Sequence, residues 1–169
     1  MALRQVTNPG FEVDLASWVK VDGDASVTWT RDTDITNGGS AGSSKLVNTV
    51  AGADDYIRGE GNITTGFWVP GTYTVTAYCN CTDFTAGALS NRGILVIGVT
   101  GGSATATLTG VTDGWVRLET SIALSNTHTG ISIRLYAPQG TVYWDDDYIY
   151  HPSGQENATP RLFPITGGN

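Results

Sequence analysis

The chain has 169 residues, of which 40% are hydrophobic and only 15% are charged, and its formal net charge is −7. A chain of this length buries a core without help from disulfides or metals. Its nine cationic residues are scattered, whereas a nucleic-acid-binding protein needs a basic face to displace counterions. Charge therefore argues against a nucleic-acid partner and is compatible with a neutral glycan or a divalent cation.

Short strands are predicted along the chain, because apolar and polar residues alternate with period two between turns rich in Gly, Asn, Asp and Pro. No segment shows a sustained apolar period of 3.6 residues. Strands at this spacing are typical of an all-β sandwich or barrel. The nearly continuous apolar run at 94–100 predicts an interior strand. In chain order the predicted strands are 27–30, 45–49, 56–62, 72–80, 94–100, 104–108, 115–124, 130–137 and 141–150.

The pattern predicts one domain, residues 1–150, and a C-terminal tail, residues 151–169, that is flexible or docked on a partner. The tail is rich in Pro and Gly and loses the alternation. No apolar run reaches 18 residues, so no membrane span is expected, and no apolar signal core follows Met1. Cys79 and Cys81 share one strand face with Cα atoms roughly 6.6–7 Å apart, too far for a disulfide. They are predicted to be free thiols.

Catalytic motifs are not apparent in the sequence. The two histidines, His128 and His151, lie in turn-like or tail segments. No nucleophile elbow, zinc-binding helix or phosphate loop occurs. The expectation is a protein that is not an enzyme.

Five fragments of the sequence form an ordered set. They are Asn8-Pro9-Gly10-Phe11-Glu12 followed by Trp18, Gly42-Ser43-Ser44-Lys45-Leu46-Val47, Pro70-Gly71-Thr72-Tyr73-Thr74-Val75, Gly114-Trp115-Val116-Arg117-Leu118 and Val142-Tyr143-Trp144-Asp145-Asp146. In this order they resemble the jelly-roll carbohydrate-binding modules of families four, nine and twenty-two. The resemblance covers about residues 5 to 150 and implies a galactose-binding-like jelly roll, a β-sandwich of two antiparallel sheets. Asp147 stands where the family usually has an inward Val.

This resemblance implies a structural Ca²⁺ that ties the N-terminal segment to the closing strand. The carboxylates would come from Glu12 and Asp145, and backbone carbonyls from Gly10 and from the loop near Ser43 to Lys45. Such hard oxygen ligands suit Ca²⁺. Asp146 is the alternative to Asp145, and strand parity decides between them.

A ligand face is predicted from the alternation, with the strand order taken from the resemblance. If the apolar residues of each strand point to the core, one outward face carries Tyr56, Arg58, Tyr78, Arg134 and Tyr136. Trp68, before the Pro70-Gly71 turn, is a further candidate. Aromatic rings and polar donors together suit a polysaccharide, although an ordinary half-exposed sheet also favours Tyr.

Two functions are compatible with these features. The first is a non-catalytic carbohydrate-binding module for a polysaccharide or surface glycan, extracellular as part of a larger protein. The alternative is a bacteriophage virion protein, a tail or capsid decoration or adhesion subunit assembled in the host cytoplasm. In that case a host-surface glycan would be the ligand. The tail, with Leu162, Phe163 and Ile165, would then dock on other virion subunits.

Overall fold

The structure is a computed structural model that describes residues 2–5, 10–22, 24–50, 55–59, 70–85, 95–99, 102–127 and 130–151. No helix occurs in these ranges, and accordingly none that is long and apolar enough to cross a bilayer. The ranges contain eleven strands: β1 Ala2–Gln5, β2 Trp18–Val21, β3 Val27–Asp32, β4 Ser43–Asn48, β5 Tyr56–Gly59, β6 Gly71–Phe84, β7 Leu95–Val99, β8 Gly102–Ala106, β9 Val116–Leu124, β10 Ser132–Tyr136 and β11 Gly140–His151.

The strands form two antiparallel sheets. Sheet A has the order β3-β4-β11-β6-β9, with β1 paired to the far part of β11, and sheet B has the order β2-β5-β10-β7-β8. The predicted all-β sandwich of two antiparallel sheets is confirmed. So is the interior position of the 94–100 strand, which lies as β7 between β10 and β8. The two strands that the sequence missed, β1 and β2, have only four residues each, too few to show alternation.

The core lies between the inner faces of the two sheets. Alternate residues of β6 supply one wall and alternate residues of β10 the other, and all of them are fully buried, as the period of two predicts. Phe11 packs on Trp18 with ring centroids 5.3 Å apart, at one end of the core. The fully buried residues of the two walls include Tyr73, Val75, Ala77 and Cys79 in β6 and Ile133 and Leu135 in β10.

The two cysteines are free and buried, which confirms the prediction from their spacing. Burial raises the pKa of Cys79 to about 12 and that of Cys81 to about 11. A thiol with so high a pKa is not a nucleophile near neutral pH. Both side chains therefore act as core residues.

A β-bulge interrupts β11 next to β6. Asp145 pairs with Tyr78, and the next pair is Tyr148 with Thr76, so two residues of β11 oppose one residue of β6. The first of the two, Asp146, has a left-handed backbone with φ of 48°. A bulge of this kind shifts the inward and outward positions by one residue.

The bulge changes which face each later residue of β11 occupies. Trp144 and Ile149 are five positions apart, yet both are buried in the core cluster. The sequence interpretation assumed unbroken alternation through β11 and is wrong on this point. One consequence is that Asp145 and Asp146 are not alternatives, because the left-handed residue lets both reach the same site.

Asp147 occupies an inward position, as the resemblance implied for this place in β11. Its side chain is 0% exposed, and neither carboxyl oxygen has a hydrogen-bond partner. Burial raises its pKa well above the ordinary value of an aspartate, because a low-dielectric surrounding disfavours the charged form.

The predicted domain boundary after residue 150 falls near the end of β11, where His151 still pairs with Ala2. Apart from His151, the predicted C-terminal tail lies outside the described residues.

Candidate functional site

Three carboxylates converge on Gly10 beside β11, between the part of β11 that pairs with β4 and the part that pairs with β1, and we call Glu12, Asp145 and Asp146 the acidic cluster. A Cβ placed on Gly10 would lie 2.8 Å from Glu12 Oε1, 3.3 Å from Asp145 Oδ1 and 3.5 Å from Asp146 Oδ1. Any side chain at position 10 would therefore fill the space that the three oxygens surround. The structure brings together four of the five residues that the sequence predicted for a metal site.

The loop 37–41 closes the acidic cluster, and sequence reasoning missed it. Asn37 donates its backbone N–H to Asp145 Oδ2 and its side-chain amide to Asp146 Oδ2, both at 3.1 Å. The Ser40 hydroxyl lies between Glu12 and Asp145 and contacts both. The Ala41 N–H donates to Glu12 Oε2 at 2.6 Å. The only signal for this loop in the sequence was a turn-rich segment with polar side chains.

Arg31 fastens the N-terminal segment to this loop, and it too was missed. Its guanidinium donates to the carbonyl oxygens of Phe11, at 2.7 Å, and Glu12, and to that of Ala41 at 2.6 Å. A Cβ on Gly42 would lie 2.5 Å from the same guanidinium, so a glycine is needed there. The hydrogen bonds of Arg31 go to carbonyl oxygens rather than to the carboxylates of the acidic cluster.

The pKa values of Asp145 and Glu12 in the acidic cluster are shifted in opposite directions. Burial raises the pKa of Asp145 to about 7, partly opposed by the N–H of Asn37, and the nearby Asp146 raises it further. Hydrogen bonds from the Ser40 hydroxyl and the Ala41 N–H lower the pKa of Glu12. Negative charge is thus concentrated at a site whose described donors are mostly neutral groups. A bound cation would favour the ionised form of all three carboxylates.

The donor set fits a calcium ion. Ca²⁺ takes six to eight hard oxygens from carboxylates, carbonyls and water, and three carboxylates face one small space here. The prediction for Lys45 is wrong, because this residue lies within β4 and not in a loop. Its backbone pairs with Thr30 and Tyr143, and its amine lies 3.5 Å from Asp32.

A second group of carboxylates, not predicted from the sequence, is formed by Asp22, Asp24 and Asp55, with one oxygen of each within 4.8 Å of the others. Asp22 accepts hydrogen bonds from Lys20 Nζ and from the N–H groups of Ser26 and Val27. These bonds hold the turn between β2 and β3. Asp22 therefore has a structural role in this turn. The group provides a control for variants of the acidic cluster.

The outer face of sheet B carries the second candidate site. Register pairs Arg134 with Arg58 and Tyr136 with Tyr56 across β10 and β5, while Leu135 and Ile57 between them point to the core. We call the four outward residues the arginine–tyrosine face. Four of the six predicted ligand-binding residues are therefore neighbours. Alternation predicted their outward side, and the resemblance supplied the pairing of their strands.

The two tyrosine rings are not open platforms. Tyr56 and Tyr136 are 9% and 5% exposed, and their ring centroids lie 4.9 Å apart in a tilted pair. The guanidinium of Arg134 lies over the Tyr56 ring, 5.3 Å from its centroid. A cation so placed is attracted by the ring. The Tyr56 ring therefore supports the guanidinium of Arg134.

Tyr78 does not belong to this face. It lies in β6 of sheet A and pairs with Asp145 and Arg117, so the prediction that it shares a sheet with the other four is wrong. The error came from the strand order, because alternation gives the side of a strand but not its sheet. Trp68 lies outside the described residues.

No protein-family model matches the chain, and no curated protein sequence matches it. The fold is similar to the CBM22-1 xylan-binding domain of Xyn10C from Paenibacillus barcinonensis, with a TM-score of 0.56 and 10% identity, over 84% of this chain and 90% of that one. This chain has the fold of a jelly-roll carbohydrate-binding module. At this identity the likeness establishes the fold alone.

Two larger proteins contain a similar module. One is the CBM22-1–GH10 part of xylanase 10B from Clostridium thermocellum, complexed with xylohexaose, with a TM-score of 0.59, 15% identity and 85% of this chain covered. The other is tailspike protein 4 of bacteriophage CBA120, with a TM-score of 0.58, 12% identity and 87% covered. This chain spans 28% and 21% of those two chains. The carbohydrate-binding fold is thus used both beside a xylanase domain and in a virion protein.

Proposed function

We propose that this chain is a non-catalytic carbohydrate-binding module whose arginine–tyrosine face binds a polysaccharide. The observation that carries the proposal is the register between β5 and β10, which places Tyr56, Arg58, Arg134 and Tyr136 on one outward face. A preformed face with several convergent donors is what a sugar chain with many hydroxyls requires. The xylan-binding module with the same fold supports the ligand class.

A glycan array with the wild-type chain and a matched pair of variants tests this proposal. Tyr136→Leu changes the arginine–tyrosine face, and Tyr78→Leu makes the same change on the other sheet. We expect binding of at least one polysaccharide, lost in Tyr136→Leu and kept in Tyr78→Leu, with thermal melts showing that both variants fold. Absence of binding to every glycan, or loss only in Tyr78→Leu, would count against the proposal.

A structural calcium ion is part of the proposal. The residues that would hold it are Glu12, Asp145 and Asp146, with the carbonyl of Gly10. When bound, the ion would supply positive charge that neutralises these carboxylates and fixes the N-terminal segment to β11. Its role would be to hold the sandwich closed rather than to contact the glycan, because the arginine–tyrosine face lies on the other sheet.

A second candidate function, a virion adhesion or decoration subunit, is favoured by the likeness to the phage tailspike protein. A virion subunit is expected to form one symmetric oligomer. Light scattering after size exclusion tests this candidate. A single closed oligomer would support it, and a monomer at high concentration would count against it.

A further inference from the structure

Strand β9 forms one edge of sheet A, and among the described strands it pairs with β6 alone. All nine of its residues pair with β6, so alternate backbone N–H and C=O groups point to the side away from β6. Such an edge is a template for a further strand. It is longer than the other described edge strands, because β1, β2, β3 and β8 have four, four, six and five residues.

The sequence of β9 also lacks the residues that usually protect an edge. Natural proteins block edge strands with Lys, Pro or bulges. Strand β2 contains Lys20, whose Nζ donates a hydrogen bond of 2.9 Å to the carbonyl oxygen of Val27 in β3. Strand β9 contains no Lys, Pro or Gly, and its charged residues are Arg117 and Glu119. This edge is therefore suited to pair with another strand.

Apolar side chains along this edge are incompletely covered. Leu118 lies opposite Ala77 of β6, which is fully buried, so Leu118 points to the core. Leu118 and Val116 are nevertheless only half-buried, although both pack against the core. The neighbouring Arg117 and Glu119 point outward, with 46% and 49% of their side chains exposed. A strand added here would cover the apolar margin and meet both charges.

The two charges select one register for pairing with a second copy of the chain. In an antiparallel pair of β9 strands with Leu118 on the two-fold axis, Arg117 of each copy lies opposite Glu119 of the other. An axis at Arg117 or at Glu119 would instead place like charges opposite each other, and an axis at Thr120 would leave both charges opposite uncharged residues. Opposite charges across a strand pair are favourable, and like charges are unfavourable.

We propose that β9 pairs with β9 of a second copy, centred on Leu118, so that sheet A continues from one sandwich into the next. Each copy has one such edge, so the two-fold pairing closes at a dimer. Residues 116–120 of each strand would pair, and so small an interface predicts a reversible dimer. The dimer is independent of the proposed glycan binding, because the arginine–tyrosine face lies on sheet B.

Within one chain, Arg117 Nη2 already lies 2.6 Å from Glu119 Oε2. Both groups are exposed, so this ion pair by itself contributes little to stability. In the dimer the same two residues of each copy would form a network of four charges. Reversing one charge would therefore disturb the dimer at two symmetric positions while changing the single chain little.

Sedimentation velocity over a concentration series tests the association. Between about 1 µM and about 500 µM we expect the wild-type chain to pass from monomer to dimer, with no larger species. Arg117→Glu and Glu119→Arg are each expected to weaken the dimer at least about tenfold. Asp34→Arg, in the exposed segment after β3, is the matched control and should leave the dimer unchanged. Thermal melts check that each variant folds.

An equimolar mixture of the two variants tests the register. Across the two-fold pairing, the acidic pair of one variant would lie opposite the basic pair of the other. We expect the mixture to form mixed dimers about as tightly as the wild type. The chain that carries both Arg117→Glu and Glu119→Arg should also dimerise, because the exchange preserves every opposite pair.

Three outcomes would contradict the proposal. A wild-type chain that stays monomeric throughout the series, or that assembles beyond a dimer, would show that β9 is not a closed pairing edge. A dimer that both single reversals leave intact would place the interface elsewhere. A mixture of the two variants that stays monomeric would show that the register centred on Leu118 is wrong.

Discussion

The acidic cluster and the arginine–tyrosine face concentrate opposite charges in two different ways. The acidic cluster joins segments far apart in sequence, and a loop donates hydrogen bonds to all three carboxylates. The arginine–tyrosine face needs only the register of two paired strands, and within the part of the chain that the structure describes Nε of Arg134 has no partner. A site whose donors are matched within the chain is suited to hold the fold together.

The largest expected change in stability follows from the removal of calcium, and it would sharpen this comparison. At a hundredfold excess of Ca²⁺ over its Kd, chelation is expected to lower the free energy of unfolding by about 2.7 kcal/mol, or about 5–10 °C in Tm. Glu12→Gln is expected to abolish the calcium-dependent shift, measured by calorimetric melting. Asp24→Asn, in the other carboxylate group, is expected to keep it. Loss of the shift in Asp24→Asn alone would move the ion to that group.

A second effect is the dependence of stability on pH in the presence of a chelator. Folding raises the pKa of Asp145 to about 7, from about 3.9 in an unfolded chain. The folded state therefore holds this proton more tightly, so the stabilisation is complete below about pH 4 and is lost as pH rises through about 7. We expect a fall of about 2 kcal/mol over that interval by urea unfolding.

Two variants and the binding of calcium test whether this pH dependence of stability belongs to Asp145. Asp145→Asn is expected to make the fall between pH 4 and 7 smaller, and the fall that remains is assigned to Asp147, whose pKa is also raised by burial. The exposed Asp113→Asn is expected to leave the fall unchanged. Calcium affinity should instead rise with pH, because the ion competes with the proton on Asp145. Stability that rises with pH in the chelator would contradict the assignment.

A third effect concerns the buried carboxyl of Asp147. Asp147→Val replaces a fully buried, unpartnered carboxyl with an apolar side chain. We expect the free energy of unfolding at neutral pH to rise by about 1–3 kcal/mol, because the desolvation penalty disappears. The exposed Asp113→Val is the control and should change stability little. A destabilised Asp147→Val would show that the carboxyl has a partner in solution.

The smallest expected effect concerns the aromatic support of the arginine–tyrosine face. Tyr56→Leu removes the ring beneath Arg134 and the ring pair with Tyr136. We expect a loss of about 0.5–1.5 kcal/mol in stability and of about three- to fivefold in affinity for the polysaccharide identified on the glycan array. Tyr56→Phe keeps the ring and is expected to leave both quantities nearly unchanged. Equal losses in the two variants would indicate a role for the hydroxyl instead.

The sequence by itself determined the all-β class, nine of the eleven strands, the free cysteines, and the side of β5 and β10 on which Tyr56, Arg58, Arg134 and Tyr136 lie. These follow from an alternation with period two, which is a local property of each strand. Its resemblance to a known family also supplied Glu12 and Asp145.

Only the tertiary structure decided that Tyr78 lies in the other sheet, that Asp145 and Asp146 reach one site, and that residues 37–41 and Arg31 enclose it. Sheet membership depends on which strands pair, and pairing is a contact between distant segments. The bulge at Asp146 adds one residue to one strand, and this single addition reverses the side of every later residue in β11. Alternation read along the chain carries no mark of where such a reversal falls.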